Sequence, residues 1–506
     1  MQLSLPFTTL LAGVLLALNV NAVPVAQQPR MVTLPLKRME VRSDEHPRIL
    51  LQQQINRASK RLALMTGREA PTEAMMTEAL RKRVLEVEGP EGLERRRVGL
   101  FGATKDKRFN RTGVPKNGKR SPKKGKNAGN AGNAGATGNT GATGNGGAAA
   151  GSSAIGGPDS ATGVEVANTP TTGNSLGLNI EGPDVGYLAT IQMGTPPQNY
   201  LILMDSGSAD LWVASEACQS TAGGDCGNHQ TLGSTSSSSF VASNTPFQVT
   251  YGTGAVQGAI IQDDITVAGL TLKAHTFGVT TSETPDFADD SVPFDGLMGL
   301  AQSTLSEQQT PTPVESLASA GLISDAITSY KISRAADNLN DGEITFGALD
   351  TTKFDQSTLT TVPNVNTQGF WEAALDAITV DGQDTGLQGR TAILDTGTTL
   401  IVAPVDDATA VHQLITGSQA DGQGGFTVPC DFNQSVALTV GGTVFAIEPQ
   451  DIALQPPNQD GSCTSGISGG SFGTSNTEWL VGDVFLKNAY YSTDVGKNTV
   501  SLAKLV

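Results

Sequence analysis

The sequence predicts an all-β protein built as two lobes on one plan, and three observations carry that prediction. From about Gly177 to the C-terminus, short alternating apolar runs such as YLATIQM, NYLILM, GEITFG, SVALTV and TVSLAKL are separated at close spacing by Gly, Asn, Asp and Pro. This is the texture of antiparallel strands and tight turns. Helical periodicity is scarce there, with Pro313–Leu322 and Asp406–Ile415 as the best short candidates. The third observation is an internal repeat. Met204-Asp205-Ser206-Gly207 follows the apolar LIL, and Leu394-Asp395-Thr396-Gly397 follows AI. Each is followed by an apolar pair and a glycine, 94 residues from Asp205 to Gly299 in Leu297-Met298-Gly299 and 87 from Asp395 to Gly482 in Leu480-Val481-Gly482. Two β lobes that each bring one carboxylate to a shared axis explain the repeat.

Five segments follow in order. Residues 1–22 form an apolar run ending in the small residues Val20 and Ala22, the pattern of a cleaved signal peptide, although the start carries no Lys or Arg. No stop-transfer pattern follows, and no later apolar run is long enough to span a bilayer. The expected location is therefore outside the cell, with the vacuole as the alternative, and no membrane anchor is expected.

Residues 23–126 are a basic prosegment with a helix-capable stretch at Leu50–Glu94 and candidate dibasic processing points at Lys37-Arg38, Arg95-Arg96-Arg97 and Lys119-Arg120. Residues 127–176 are a linker. Their first part, Asn127–Gly157, has no charge and no aromatic, so it cannot bury enough apolar surface to offset backbone entropy. Residues 177–352 and 353–506 are the two lobes.

Charge divides the chain the same way. The whole has 33 Lys+Arg against 49 Asp+Glu, a formal net charge of −16, which argues against a nucleic-acid binder. Residues 1–126 hold 25 basic and 11 acidic residues, whereas 127–506 hold 8 and 38. Opposite charge on two segments points to an intramolecular partner or a removable piece, with a basic tail for anionic polymers as the other reading.

Cys218, Cys226, Cys430 and Cys463 are the four cysteines, an even number suited to disulfides in an exported chain. Three connectivities are possible, and the sequence-local one is Cys218–Cys226 with Cys430–Cys463. A zinc site finds no support, since there is no CxxC pair and the four histidines are scattered. Asn433-Gln434-Ser435 and Asn110-Arg111-Thr112 are N-glycosylation sequons, of which only Asn433 falls in a lobe.

The repeated Asp carries the chemistry. A glycine after each Asp lets the backbone turn tightly and approach its counterpart, while the hydroxyls of Ser206 and Thr396 can hold that approach by hydrogen bonds. Two carboxyls so close cannot both ionise, and they share a proton. The ionised member can deprotonate a water while the protonated one polarises a peptide carbonyl. Amide hydrolysis then needs no covalent intermediate.

From Tyr187 onward the chain resembles the pepsin-like aspartic proteases. YLATIQMGTPPQNYLILMDSGSADLWV, TYGTGAVQG, FDGLMGLA, GEITFGALD, AILDTGTTLIVAP and WLVGDVFLKNAYYSTD carry the resemblance, in the family's order. It implies a bilobal fold of two similar six-stranded-type β-barrel lobes with a cleft between them, and Asp205 and Asp395 as the catalytic pair. Tyr251, Gly252 and Thr253 would form a mobile flap, and Trp212 would support its tyrosine or simply pack in the core. Ser206, Gly207, Ser208, Thr396, Gly397 and Thr398 would brace the pair. The cysteine positions imply the same two disulfides.

The resemblance further implies an acid-active endopeptidase without metal or organic cofactor, acting as a monomer on polypeptides with apolar residues beside the cut bond. The prosegment would be an inhibitor with a lysine on the pair, for which Lys37, Lys60 and Lys82 are candidates. Asp483 matches a family carboxylate near the pair or is a turn residue. Ser206 stands where the family usually has Thr, and the long tether is unlike the family's compact propeptides. A binding or inhibitor module on the same fold is the rival, but it would usually lack one Asp or the flap tyrosine. A cell-wall structural protein would explain only the Gly-rich tract.

Overall fold

The computed structural model describes residues 32–35, 37–38, 46–100, 168, 184 and 186–506, apart from 253, 291, 338, 455–457, 459 and 471–476. The expected signal peptide (1–22), nearly all of the expected linker (127–176), Asn110 and Thr253 lie outside the described residues. The chain divides into two units, Met1–Arg83 with Pro158–Val506, and Val84–Gly157. The second is described only as far as Leu100, where the backbone is helical apart from Gly89 (φ 69°), directly before Pro90.

In the N-terminal half, alternation writes the strands. Tyr187–Met193 and Gln198–Asp205 pair antiparallel, with the apolar set turned inward. The ladder continues through Gly296–Gly299, Leu211–Ser220, Leu270–Glu283 and Ala255–Val267, and the last of these returns to pair with Tyr187–Met193 at Gln192↔Thr266 and Met193↔Ile265. Six strands thereby close into a barrel filled by Ile191, Ile202, Val213, Phe277 and Met298. Pro246–Thr250 extends one margin and the short strand Lys37–Arg38 the other.

The C-terminal half repeats the key step without a closed ladder among the described residues. Its central sheet runs Glu372–Leu375, Arg390–Leu394, Glu478–Val481, Ile401–Pro404 and Ile467–Gly470, and two four-stranded sheets complete it. A six-stranded sheet joins strands from both halves. It places Ile327–Lys331 and Glu343–Phe346 beside Tyr490–Asp494, Thr499–Ala503 and Thr360–Pro363, with strand Val32–Pro35 on its edge.

The spaced repeat acquires a structural meaning here. In each half the strand that ends at the Asp runs parallel to the strand made by the later apolar pair: Met204↔Met298 and Asp205↔Gly299 in one, Ile393↔Leu480 and Leu394↔Val481 in the other. Both glycines sit where backbones touch. A Cβ on Gly299 would lie 2.5 Å from Ala209 Cα, and one on Gly482 would lie 2.6 Å from the Thr398 carbonyl carbon. A side chain at either position would push an Asp loop out of place.

Helices are few in the lobes. The two predicted ones are found at Pro313–Ser319 and Val405–Leu414. The first starts with a capping box in which Thr312 and Glu315 satisfy each other's backbone N–H groups.

The helix-capable prosegment stretch becomes helices Pro47–Met65 and Glu73–Leu100. Pro47 suits the first turn, where its missing N–H is not needed. Ile49, Ile55, Ala58, Leu62 and Met65 form the buried stripe of the first helix, which packs on strands Ile401–Pro404, Ser462–Ser465 and Ile467–Gly470. Each large apolar side chain buried there contributes roughly 2 kcal/mol.

His275 is buried beside Phe277 with its rings stacked, and burial lowers its pKa to about 4. The folded chain therefore holds it neutral, so its contribution to stability is full above the unfolded value near 6.5 and falls as acid charges the unfolded chain first. Between pH 7 and pH 4, the unfolding free energy of wild type should drop by about 3 kcal/mol more than that of His275→Gln. Urea unfolding at the two pH values, in an Asp205→Asn background, measures the difference; equal drops would show that His275 titrates freely.

Candidate active site

Asp205 closes the Gln198–Asp205 strand, and Asp395 directly follows Arg390–Leu394. Both side chains are fully buried. The loops are tied to each other across the two halves. Ser206 N–H donates to Thr396 Oγ1 (3.0 Å) and Thr396 N–H to Ser206 Oγ (2.9 Å), while the two hydroxyls donate to the Leu394 (3.0 Å) and Met204 (2.8 Å) carbonyls. Four bonds thus lock the pair, and the serine serves as well as the threonine because only the hydroxyl is used.

Each carboxylate is braced identically. Asp205 accepts Gly207 N–H on Oδ1 (3.0 Å) and the Ser208 hydroxyl on Oδ2 (2.6 Å); Asp395 accepts Gly397 N–H (2.9 Å) and the Thr398 hydroxyl (2.6 Å) in the same way. A Cβ on Gly207 would come within 2.5 Å of Asp395 Oδ1, and one on Gly397 would meet Asp205 Oδ1. The inner oxygens face each other across a space that only glycine leaves open.

One nitrogen fills that space. Arg61 Nη2 donates both to Asp205 Oδ1 and to Asp395 Oδ1, the latter at 2.9 Å. Arg61 Nε stands 2.6 Å from Asp395 Oδ2 as an ion-pair contact rather than an aligned hydrogen bond. The two carboxyls are therefore within hydrogen-bonding reach of a common atom. Burial pushes Asp395 up to about 6, Arg61 pulls it back, and Asp205 raises it. Arg61 itself is held above its usual value, since the two carboxylates outweigh the cost of burial.

The position assigned to a lysine thus belongs to an arginine. Lys60 is the preceding residue on the same helix, about 100° round the axis, and is half-buried, while Lys82 is exposed. Lys37 lies in the Lys37–Arg38 strand, whose side chains are outside the description.

The flap is a hairpin of Pro246–Thr250 with Ala255–Val267, turning through Tyr251–Gly254, where Tyr251 N–H reaches Gly254 O at 2.7 Å. Trp212 Nε1 donates to Tyr251 Oη (2.7 Å), and both rings pack edge-on against Phe287 at 5.3 and 5.5 Å. Trp212 is at once a buried core aromatic and a support for the flap tyrosine. Gly252 lies against the Arg57 carbonyl of the prosegment helix.

A cleft of about 500 Å³ opens beside the pair. Its walls are the Gly207–Asp210 loop, the hairpin residues Gln248–Gly252, and Leu305, Glu307, Gln368 and Phe370, with Arg61, Leu64 and Met65 of the Pro47–Met65 helix also lining it. Asp210, which sequence reasoning passed over, anchors one wall. It is buried, and it accepts Ser306 Oγ (2.8 Å) and Gln308 N–H (3.0 Å), which pins the 306–308 loop at the cleft. Asp483 is fully buried, and its N–H donates to the Thr398 carbonyl (2.9 Å), one residue from the Asp395 loop.

The remaining residues singled out in the sequence lie outside this centre. Cys218 and Cys226 are bonded at 2.03 Å and Cys430 and Cys463 at 2.10 Å, so the Cys218–Cys226–Glu283 cluster offers no free thiolates to a metal. Asn433 is exposed ahead of the Val436–Val440 strand. Among the described residues no helix is long and apolar enough to cross a membrane.

Comparison with known proteins agrees with this geometry. Residues 186–505 match the eukaryotic aspartyl protease family. A probable aspartic-type endopeptidase CTSD of Arthroderma benhamiae is 36% identical over 341 residues, covering 67% of this chain and 65% of the relative. This chain thus spans just under two thirds of that relative's length. A probable vacuolar protease A of Trichophyton verrucosum is 34% identical over 322 residues (63% and 78% of the two chains), and pepsin A of Sus scrofa is 34% identical over 325 residues (63% and 81%). With two Asp loops cross-bonded between two β halves beneath a tyrosine-tipped hairpin, the chain belongs to the eukaryotic aspartyl protease family.

Proposed function

We propose that the protein is an aspartic endopeptidase, made as an inactive precursor, that hydrolyses peptide bonds in acid. One observation carries the reading: two fully buried carboxyls from the two halves both bond a single atom. With the prosegment gone, a water in that position lies within reach of both. Asp395, which burial raises even with Arg61 beside it, holds the shared proton, and Asp205 accepts one from the water. The water oxygen bonds to the peptide carbonyl carbon as Asp395 gives its proton to the carbonyl oxygen. The tetrahedral diol then passes a proton to the leaving nitrogen, and the C–N bond breaks. No electrons are exchanged and no covalent enzyme intermediate forms. Because Asp395 must be protonated, the rate falls as pH rises through the pair's upper pKa.

Tyr251 closes over an extended substrate, and Val249, Leu305 and Phe370 favour apolar side chains; Leu64 and Met65 of the prosegment already line the same cleft. Both carboxyls come from one chain, so a monomer suffices. An exported or vacuolar site of action fits the apolar leader and the vacuolar name of one relative.

The prosegment acts as the inhibitor, with Arg61 as the blocking group. Arg48–Asp460 (3.1 Å), Arg68–Glu478 (2.5 Å) and Arg83–Asp421 (2.6 Å) hold the same segment to the body. Asp460 is lowered mainly by the Ser462 hydroxyl and N–H, with Arg48 a lesser cause, whereas Glu478 is raised by burial and carried below its usual value by Arg68 and nearby backbone N–H groups. The Arg68–Glu478 contact is thus complete above the usual glutamate value and weakens as pH falls through the lowered one.

Two experiments test the reading. Asp205→Asn and Asp395→Asn precursors should stay full length in acid where wild type shortens, and should lose at least about a thousandfold in peptide hydrolysis; either variant digesting denatured protein at the wild-type rate ends the proposal. Arg61→Gln leaves the pair without its cation. Its precursor should convert about one pH unit closer to neutral than wild type, read by gel over a pH series, because breaking a buried pair costs about 3–5 kcal/mol. An unchanged conversion midpoint would remove Arg61 from the inhibitory role.

A further inference from the structure

In the precursor, three carboxylates on the C-terminal half each receive an arginine of the prosegment, and none belongs to the catalytic pair. Asp460 takes Arg48 (3.1 Å), Glu478 takes Arg68 (2.5 Å) and Asp421 takes Arg83 (2.6 Å). The Arg83 side chain is fully buried in its contact and is shared with Gln52 Oε1 at 3.1 Å. Arg48 and Arg61 stand on one helix, 13 residues and so about 20 Å apart. Asp460 and Glu478 thus receive arginines from either side of Arg61 along the segment, and Asp421 receives one from the following helix. Between the charges, the helix lays Leu51, Ile55 and Leu62 against the body. Removing the prosegment bares an apolar trough edged by three carboxylates, on a body with 8 basic and 38 acidic residues beyond position 126.

We propose that this trough is a docking surface for arginine- or lysine-bearing segments of substrate polypeptides, remote from the bond that is cut. The prosegment shows the chemistry of the occupant: spaced guanidinium groups on an amphipathic stretch, each paired with one carboxylate. A substrate carrying such a segment pairs with the body at two places, and the second contact raises the local concentration of its scissile part at Asp205 and Asp395. The proposal rests on the protease reading above and narrows its substrate class.

The test uses the full chain, activated in acid, at pH 5, where free carboxylates are largely ionised. Two quenched peptides share one uncharged, apolar scissile core, and one also carries a flexible spacer with a three-arginine amphipathic extension. The extended peptide should be cleaved with about tenfold higher kcat/KM, through KM alone, and 0.5 M salt should abolish the advantage. The Asp421→Asn/Asp460→Asn/Glu478→Gln variant should lose it too while cutting the plain peptide as wild type does. These asparagines keep the Oδ1 acceptor that Asp421 offers Gly425 N–H and Asp460 offers Ser462 N–H. If the triple variant does not fold, Glu478→Gln and Asp460→Asn singly should each lose about threefold.

Equal cleavage of the two peptides by wild type, or an advantage that survives the triple variant, overturns the docking surface. So does inhibition by a synthetic 46–83 peptide with no benefit from the arginine extension, since the trough would then read only its own prosegment. Binding of the isolated extension, followed by fluorescence anisotropy, separates the two levels of the argument. Extension binding that the triple variant loses, without cleavage of either peptide, supports the surface and sinks the protease reading; loss of both binding and cleavage sinks both.

Discussion

Burying two carboxyl groups against each other is the constraint on which the structure depends. A charge taken out of water without partners costs far more than a domain can spare, and two like charges at contact add repulsion. Asp205 and Asp395 have no exposure at all. The chain meets the cost with a symmetric set of donors, one backbone N–H and one hydroxyl to each carboxylate. Those donors come from the residues two and three positions further on, so the tight turn after each Asp is part of the electrostatics. The turns in turn are fixed by the parallel strands behind them and by the four hydroxyl and amide bonds between Ser206 and Thr396 loops. Shape and charge balance are therefore one problem with one solution, used twice.

The remaining repulsion is met by a cation, Arg61, and the choice of arginine has a geometric reason. A planar guanidinium presents several donors in a fixed fork. Nη2 can bond both inner oxygens while Nε stands beside Asp395 Oδ2. A lysine ammonium is a point charge that fills the same position with less directional control. The guanidinium also stays charged in acid, so only the carboxylates can release it.

Much of this was legible in the sequence, and the parts that were not share a cause. The two Asp loops, their glycine partners and the strands around them follow from repeats and alternation, and the hairpin at Tyr251 from the family resemblance of TYGTGAVQG. The helical character of Leu50–Glu94 is legible locally too. What failed was phase. Lys60 and Arg61 are neighbours in a basic helix, and only the packing of Ile55, Ala58 and Leu62 against the C-terminal strands decides which of them points at the carboxyls. Asp210 was passed over for a similar reason, because its partners Ser306 and Gln308 lie nearly a hundred residues away. The acidic set of Asp421, Asp460 and Glu478 is dispersed in sequence and becomes a surface only when strands Ser462–Ser465 and Glu478–Val481 are in place.

On the proposed reading, one proton serves restraint and catalysis in opposite senses. While Arg61 is present, its charge holds Asp395 lower than burial alone would set it, which favours the ionised carboxylate and so favours its own retention. Protonating Asp395 weakens the hold on Arg61, and without Arg61 the cause that lowers Asp395 is gone, which makes its protonation easier. Release is therefore self-reinforcing, and its end point is a pair carrying one proton, the form that can both accept from water and donate to a carbonyl. A switch built on any group remote from the pair would need separate tuning to coincide with the pH at which the pair works. Here the coincidence follows from using one set of carboxyls for both.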